Sequence, residues 1–241
     1  RDEYTTEERL EAIQLAEQEM ISNGIVAVGD ISNGKTTFDT KENSNIEYHT
    51  FIEVFGSDPK IATASFNQAE ELYKLYFDKK RASISPHATY SVSDPLGKLI
   101  NQHCIKNESL FSVHNQETES ENSFYRYGKG EMFDFLNIAG KTNNQFVPTG
   151  ENALSSFLNK FENLNKSLLI HNTYSSQEDL EWAKNYPSPI YWCFCPNANL
   201  YIENTLPDFD LFINEKCTIG TDSLASNWSL SILDELKTIA K

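Results

Sequence analysis

Along almost all of this 241-residue chain, short continuous apolar runs alternate with stretches of helical periodicity. A run that is apolar at every position, rather than at every second one, belongs to a strand covered on both faces. One such run stands at residues 25–28, and further strands are expected at 50–55, 82–85, 110–113, 167–170, 190–194 and 216–219. The first helix opens at Thr5-Thr6-Glu7-Glu8, with acids in its first turn, and ends at Gly24. Further helices are expected over 67–80, 94–101, 124–136 with a break around Gly128–Gly130, 151–161, 176–184 and 230–239. Strands alternating with helices make a parallel sheet. The expected fold is therefore α/β, one domain over residues 1–241, built as a TIM-type (β/α)₈ barrel. Seven strands are one short of closure. Because a helix opens the chain, the first strand is expected just upstream. A doubly wound open sheet is the alternative and needs no eighth strand.

Polar residues recur at one place in these units, just past the C-terminal end of a strand. Asp30 follows the first strand and His87 the third; His114 and Glu117 follow the fourth, His171 the fifth and Asp222 the seventh. In a β/α barrel that face carries the active site. His49 and His103 lie elsewhere and read as ordinary. His114, His171 and Asp222 could converge on one divalent ion, since imidazole and carboxylate suit Zn²⁺, Fe²⁺ or Mn²⁺. A water on such an ion loses a proton near neutral pH and becomes a nucleophile. Glu117 could move protons between water and leaving group. Singly, each residue has a plainer reading: a hydrogen-bonded histidine, a helix-capping Asp222, a Glu117 complementing a helix N-terminus. Together on one face they point to a site.

Net charge is −15, which repels phosphate backbones and excludes nucleic acid as a partner. No run of 18 or more apolar residues marks a membrane span. The opening Arg1-Asp2-Glu3-Tyr4 reads as neither a signal peptide nor a natural start. Cys104, Cys193, Cys195 and Cys217 lie in or beside apolar runs and do not read as a disulfide framework, so a cytoplasmic location is expected.

The chain resembles the aminohydrolase branch of the amidohydrolase superfamily, which includes chlorohydrolases and nucleobase and nucleoside deaminases. The resemblance runs from about Glu8 to the end. It is carried by Ser85-Pro86-His87-Ala88-Thr89-Tyr90, by His114-Asn115-Gln116-Glu117-Thr118 with Glu121, and by Leu169-Ile170-His171-Asn172-Thr173. Cys195-Pro196-Asn197-Ala198-Asn199 and Gly220-Thr221-Asp222-Ser223-Leu224-Ala225-Ser226-Asn227 complete it. It implies one Zn²⁺ or Fe²⁺ held by His114, His171 and Asp222. It implies that Asp222 takes a proton from the attacking water, that His171 ligates or hydrogen-bonds the resulting hydroxide, and that Glu117 protonates the ring nitrogen or leaving group. His87 and Tyr90 would contact a small-molecule substrate. The implied reaction is hydrolytic loss of ammonia or another group from a purine-like carbon, in a protein that pairs as a homodimer. Two features of the branch are absent from this sequence: a His-x-His metal-ligand pair at the first strand and a small flanking β-sandwich. The chain is therefore expected to be truncated.

Two other readings compete. Without His-x-His the barrel could bind a small molecule and not turn it over. Gly29-Asp30-Ile31-Ser32-Asn33-Gly34-Lys35-Thr36 also matches the phosphate-binding pattern of nucleotide triphosphatases, although the polar residues 37–45 show no helical periodicity to follow it. Cys193 and Cys195 read as buried strand cysteines, and Trp182, Trp192 and Trp228 as packing residues.

Overall fold

The computed structural model describes residues 4–138 and 146–240. The first helix, α1 (Thr6–Ser22), starts at a capping box in which the Glu8 backbone N–H donates to Thr5 Oγ1 at 3.2 Å and the Glu8 carboxylate accepts from the Thr5 N–H at 2.7 Å. Seven strands follow among the described residues: β1 (Ala27–Ser32), β2 (Glu47–Val54), β3 (Ala82–Pro86), β4 (Leu110–Asn115), β5 (Lys166–His171), β6 (Ile190–Phe194) and β7 (Cys217–Ile219). Between and after them lie α2 (Phe38–Glu42), α3 (Ala62–Leu75), α4 (Asp94–Asn107), α5 (Glu119–Tyr127), α6 (Glu131–Ile138), α7 (Ala153–Leu158), α8 (Gln177–Lys184), α9 (Pro196–Glu203) and α10 (Ile232–Ile239).

Paired strands are parallel and in chain order, in two runs, β1-β2-β3 and β4-β5-β6-β7. The runs meet at β3 and β4. There His114 N–H donates to the His87 carbonyl at 3.0 Å, and Ser112 N–H donates to Ser85 Oγ at 3.2 Å. No strand among the described residues pairs with the outer edge of β1 or of β7. The main core holds Ile52, Ile84, Leu96, Ile100, Phe111, Leu169 and Trp192, all fully buried. Each such side chain contributes about 1.5–3 kcal/mol. No helix among the described residues is long and apolar enough to cross a membrane.

Several local expectations are corrected. The helix expected at 67–80 starts at Ala62 and ends at Leu75, because Tyr76 turns to extended backbone and buries its ring edge-on against Phe38, 4.9 Å between centroids. The helix that the sequence opens at 94–101 runs to Asn107, where Glu108 caps it in the left-handed conformation. The break expected around Gly128–Gly130 is present: α5 ends at Tyr127 and α6 starts at Glu131, with Gly128 at φ 63°, a conformation glycine adopts without strain. Helix α9 was not expected, although Pro196 at its first position is a recognised start signal. Trp192 is buried, but Trp228 is largely exposed and does not serve packing within the described residues.

Asp30 requires the largest correction. It does not follow a strand; it lies inside β1, in register with Thr50 of β2. Its carboxylate pairs with the buried ammonium of Lys41, which also donates to Thr50 Oγ1 at 3.0 Å. Burial pushes the Lys41 pKa down and the Asp30 charge pulls it back up. The phosphate-loop match fails for the same reason. Gly29 to Ser32 are paired strand residues rather than a loop, and the helix beyond, α2, has only five residues. Lys41 is 3% exposed and Asp30 32%. Asp30→Ala strands a buried cation, and we expect a loss of about 3 kcal/mol in denaturant unfolding, at the low end for breaking a buried pair. Lys41→Met removes the charge with its partner's burden and should cost clearly less; equal costs would contradict the pairing.

Candidate active site

The strand ends place His87, His114, Glu117 and His171 together. The His87 and His114 rings lie 5.0 Å apart, and the His114 and His171 rings stack at 5.4 Å. Each of the latter two imidazoles is held by its Nδ1. His114 Nδ1–H donates to the His87 carbonyl at 2.6 Å, and His171 Nδ1–H donates to Asn199 Oδ1 at 2.9 Å. Carbonyl and amide oxygens only accept, so in both rings the hydrogen sits on Nδ1 and Nε2 carries a free lone pair. Burial, more than any neighbouring charge, pushes both pKa values down and keeps the rings neutral. Neutral imidazoles with Nδ1 fixed by an oxygen and Nε2 free have the form of transition-metal ligands.

His171 Nε2 faces Glu117, 3.5 Å from its Oε1. Burial raises the Glu117 pKa, His114 opposes this, and the Asp222 charge adds to it. Asp222 also acts on His171, so its carboxylate belongs to the same electrostatic neighbourhood. It is more exposed than the others. Its Oδ1 accepts from Ser223 N–H and its Oδ2 from Ser226 Oγ, both at 2.7 Å. Asn227 anchors this turn, donating through Nδ2 to Thr221 O at 2.7 Å and to buried Glu235 Oε1 at 2.6 Å. Tyr90 lies beside His87, 6.2 Å between rings, where burial and the charges of Glu121, Glu117 and Glu53 raise its phenol pKa.

Backbone strain gathers here. Gln116, His171, Asn172 and Asp222 all have positive φ, between 47° and 74°. Left-handed non-glycine residues cost about 1–3 kcal/mol each and persist where the surroundings hold them. At His171 the turn redirects a ring at the end of β5 into the buried cluster.

Glu53 is the functional candidate that sequence reasoning missed, because it lies within β2 rather than past its end. Its Oε1 is 3.9 Å from His114 Nδ1, and its Oε2 accepts from Asn33 Nδ2 at 2.8 Å. Glu53, His87 and His114 offer ligand atoms within 4.8 Å of one another, so this trio could also hold a cation. A carboxylate within the mostly apolar stretch 51–55 was the available signal: it has to face a polar site. Asn199 stood in a motif already noted, but its role as the Nδ1 partner of His171 appears only in three dimensions.

Parallel strands with alternating helices, and imidazoles and carboxylates gathered at the strand ends, define a β/α-barrel scaffold with a candidate site at that face. The pattern of the Amidohydrolase family matches residues 5–241, and the chain belongs to that family. It is 30% identical over 224 residues to an aminodeoxyfutalosine deaminase of Nitratiruptor sp., covering 90% of this chain and 53% of that protein. It is 27% identical over 231 residues to an adenosine deaminase of Helicobacter pylori, covering 94% of this chain and 56% of that one. The crystal structure of Helicobacter pylori aminofutalosine deaminase superposes with a TM-score of 0.84 at 27% identity, over 95% of this chain and 58% of that one. The chain spans about half the length of the curated relatives it matches.

Proposed function

We propose that the protein carrying this chain is a metal-dependent hydrolase that deaminates a purine-like nucleoside. The observation that carries this reading is the pair of neutral imidazoles, His114 and His171, with Nδ1 fixed by oxygens and Nε2 free beside Glu117. The family match and the deaminase relatives support it. His114, His171 and Asp222 would hold one Zn²⁺ or Fe²⁺, a donor set suited to either. When bound, the ion would acidify a water and so supply the nucleophile. The residues then divide the proton traffic. Asp222 takes a proton from the attacking water and delivers it to the departing amine. Glu117, whose pKa burial raises, gives a proton to the purine ring nitrogen and recovers one from the added hydroxyl as ammonia leaves. His87 and Tyr90 line the same cluster and would orient the base. Substrate amine and water leave as the oxo product and ammonia.

The reading also places a further strand, bearing two more imidazole ligands, along the open edge of β1. Val26 and Ile31 are exposed there.

The test uses the full-length protein, stripped with a chelator and reloaded with Zn²⁺ or Fe²⁺. Ammonia release is measured from adenosine, other amino-purine nucleosides and guanine. Metal-dependent release from at least one nucleoside is expected. A reloaded, folded protein that releases none from the whole panel would sink the reading.

A further inference from the structure

Glu121 is buried on α5, one turn beyond Glu117, and four donors converge on its carboxylate. Oε1 accepts from the backbone N–H of Glu117 at 2.8 Å and of Thr118 at 3.3 Å. Oε2 accepts from the backbone N–H of Gln116 at 3.1 Å and from Thr89 Oγ1 at 3.1 Å. Three successive amides of the loop that presents Glu117 are thus gathered by one side chain. Gln116, the first of them, has φ 47°, so the carboxylate closes over a strained turn. The fourth donor lies on the other loop of the site, between His87 and Tyr90. Tyr125, also on α5, secures that loop again by donating from its hydroxyl to Thr89 O at 2.7 Å.

We infer that Glu121 is a positioning residue: its carboxylate fixes the Glu117 loop against the His87–Tyr90 loop, so that proton donor and substrate-binding residues meet in one geometry. The inference rests on the deaminase reading above. An acidic side chain so deeply buried is expensive unless donors surround it. Here three of the four donors are backbone amides; burial and the Glu117 charge raise the Glu121 pKa to about 8, against the opposing pull of the Glu117 and Thr118 amides and the Thr89 hydroxyl. A carboxylate accepts at both oxygens, whereas an amide accepts at one only. Glu121→Gln therefore keeps the shape and loses about half of the clamp, turning an N–H₂ group toward two of the donors.

The experiment compares full-length wild type, Glu121→Gln and Thr89→Ala. Thr89→Ala removes the link between the loops and leaves the three amide contacts. Kinetics on the best amino-purine nucleoside, metal content, thermal midpoint and amide hydrogen exchange at 116–118 are measured together. We expect kcat to fall about 10- to 100-fold in Glu121→Gln, the size seen when groups that orient an active residue are removed. KM should change little, bound metal should match wild type, and exchange at 116–118 should accelerate. Thr89→Ala should lose less kcat and leave that exchange protected. Wild-type kcat in a folded Glu121→Gln would overturn the inference. So would a loss of activity that only follows the fraction of folded protein. If wild type releases no ammonia from any substrate, the deaminase reading fails, and unchanged exchange at 116–118 in Glu121→Gln would then refute the clamp on its own.

Discussion

Asp222→Ala should lower kcat by about 10³-fold, within the range for removing a positioned proton-transfer group, and should lower the metal content of the purified protein as well. Both effects follow from the double duty assigned to one carboxylate. The loop geometry sharpens the design of the test. Asp222 has φ 57°, which alanine tolerates poorly and asparagine well. Its carboxylate also accepts two hydrogen bonds from its own turn. Asp222→Asn keeps an acceptor and the backbone preference but cannot take a proton. It should be as inactive as Asp222→Ala while folding like wild type. If either variant keeps both metal and turnover, the role given to Asp222 is wrong.

Glu117→Gln should cost about 10²- to 10⁴-fold in kcat with little change in KM, because a neutral amide cannot supply the proton. Stability should move the other way or not at all. Glu117 is a carboxyl whose charged form is disfavoured by burial and by Asp222. Replacing it with a neutral isostere relieves that repulsion, and the backbone contact to Glu121 remains available. Inactivity with an unchanged or higher thermal midpoint is the signature of a residue retained for chemistry. Inactivity together with a lowered midpoint would instead mark Glu117 as a structural residue.

The strands were legible because a strand covered by helices writes itself as a largely apolar run, as at 110–113 and 168–170. Where polar residues interrupt the run, the edges blurred. β2 begins at Glu47, three residues before the apolar run suggested, since Tyr48 and Thr50 are buried while Glu47 and His49 alternate with them. The strand-end histidines were visible as a pattern across units. Their tautomers were not, because these depend on a carbonyl of another loop and on Asn199 of α9. Asp30 was misplaced because sequence gives a strand's end only to within a few residues. A shift of that size moves a side chain from the site to the helix-facing side, where Lys41 meets it. Glu53 was hidden by the converse error, a site residue inside a strand rather than past it.

The most direct test is anomalous diffraction at the zinc or iron edge from crystals of the full-length, metal-loaded protein. The account predicts one peak bonded at about 2.0–2.2 Å to Nε2 of His114, Nε2 of His171 and a carboxylate oxygen of Asp222. A peak seated instead among Glu53, His87 and His114, with His171 and Asp222 unliganded, would contradict it.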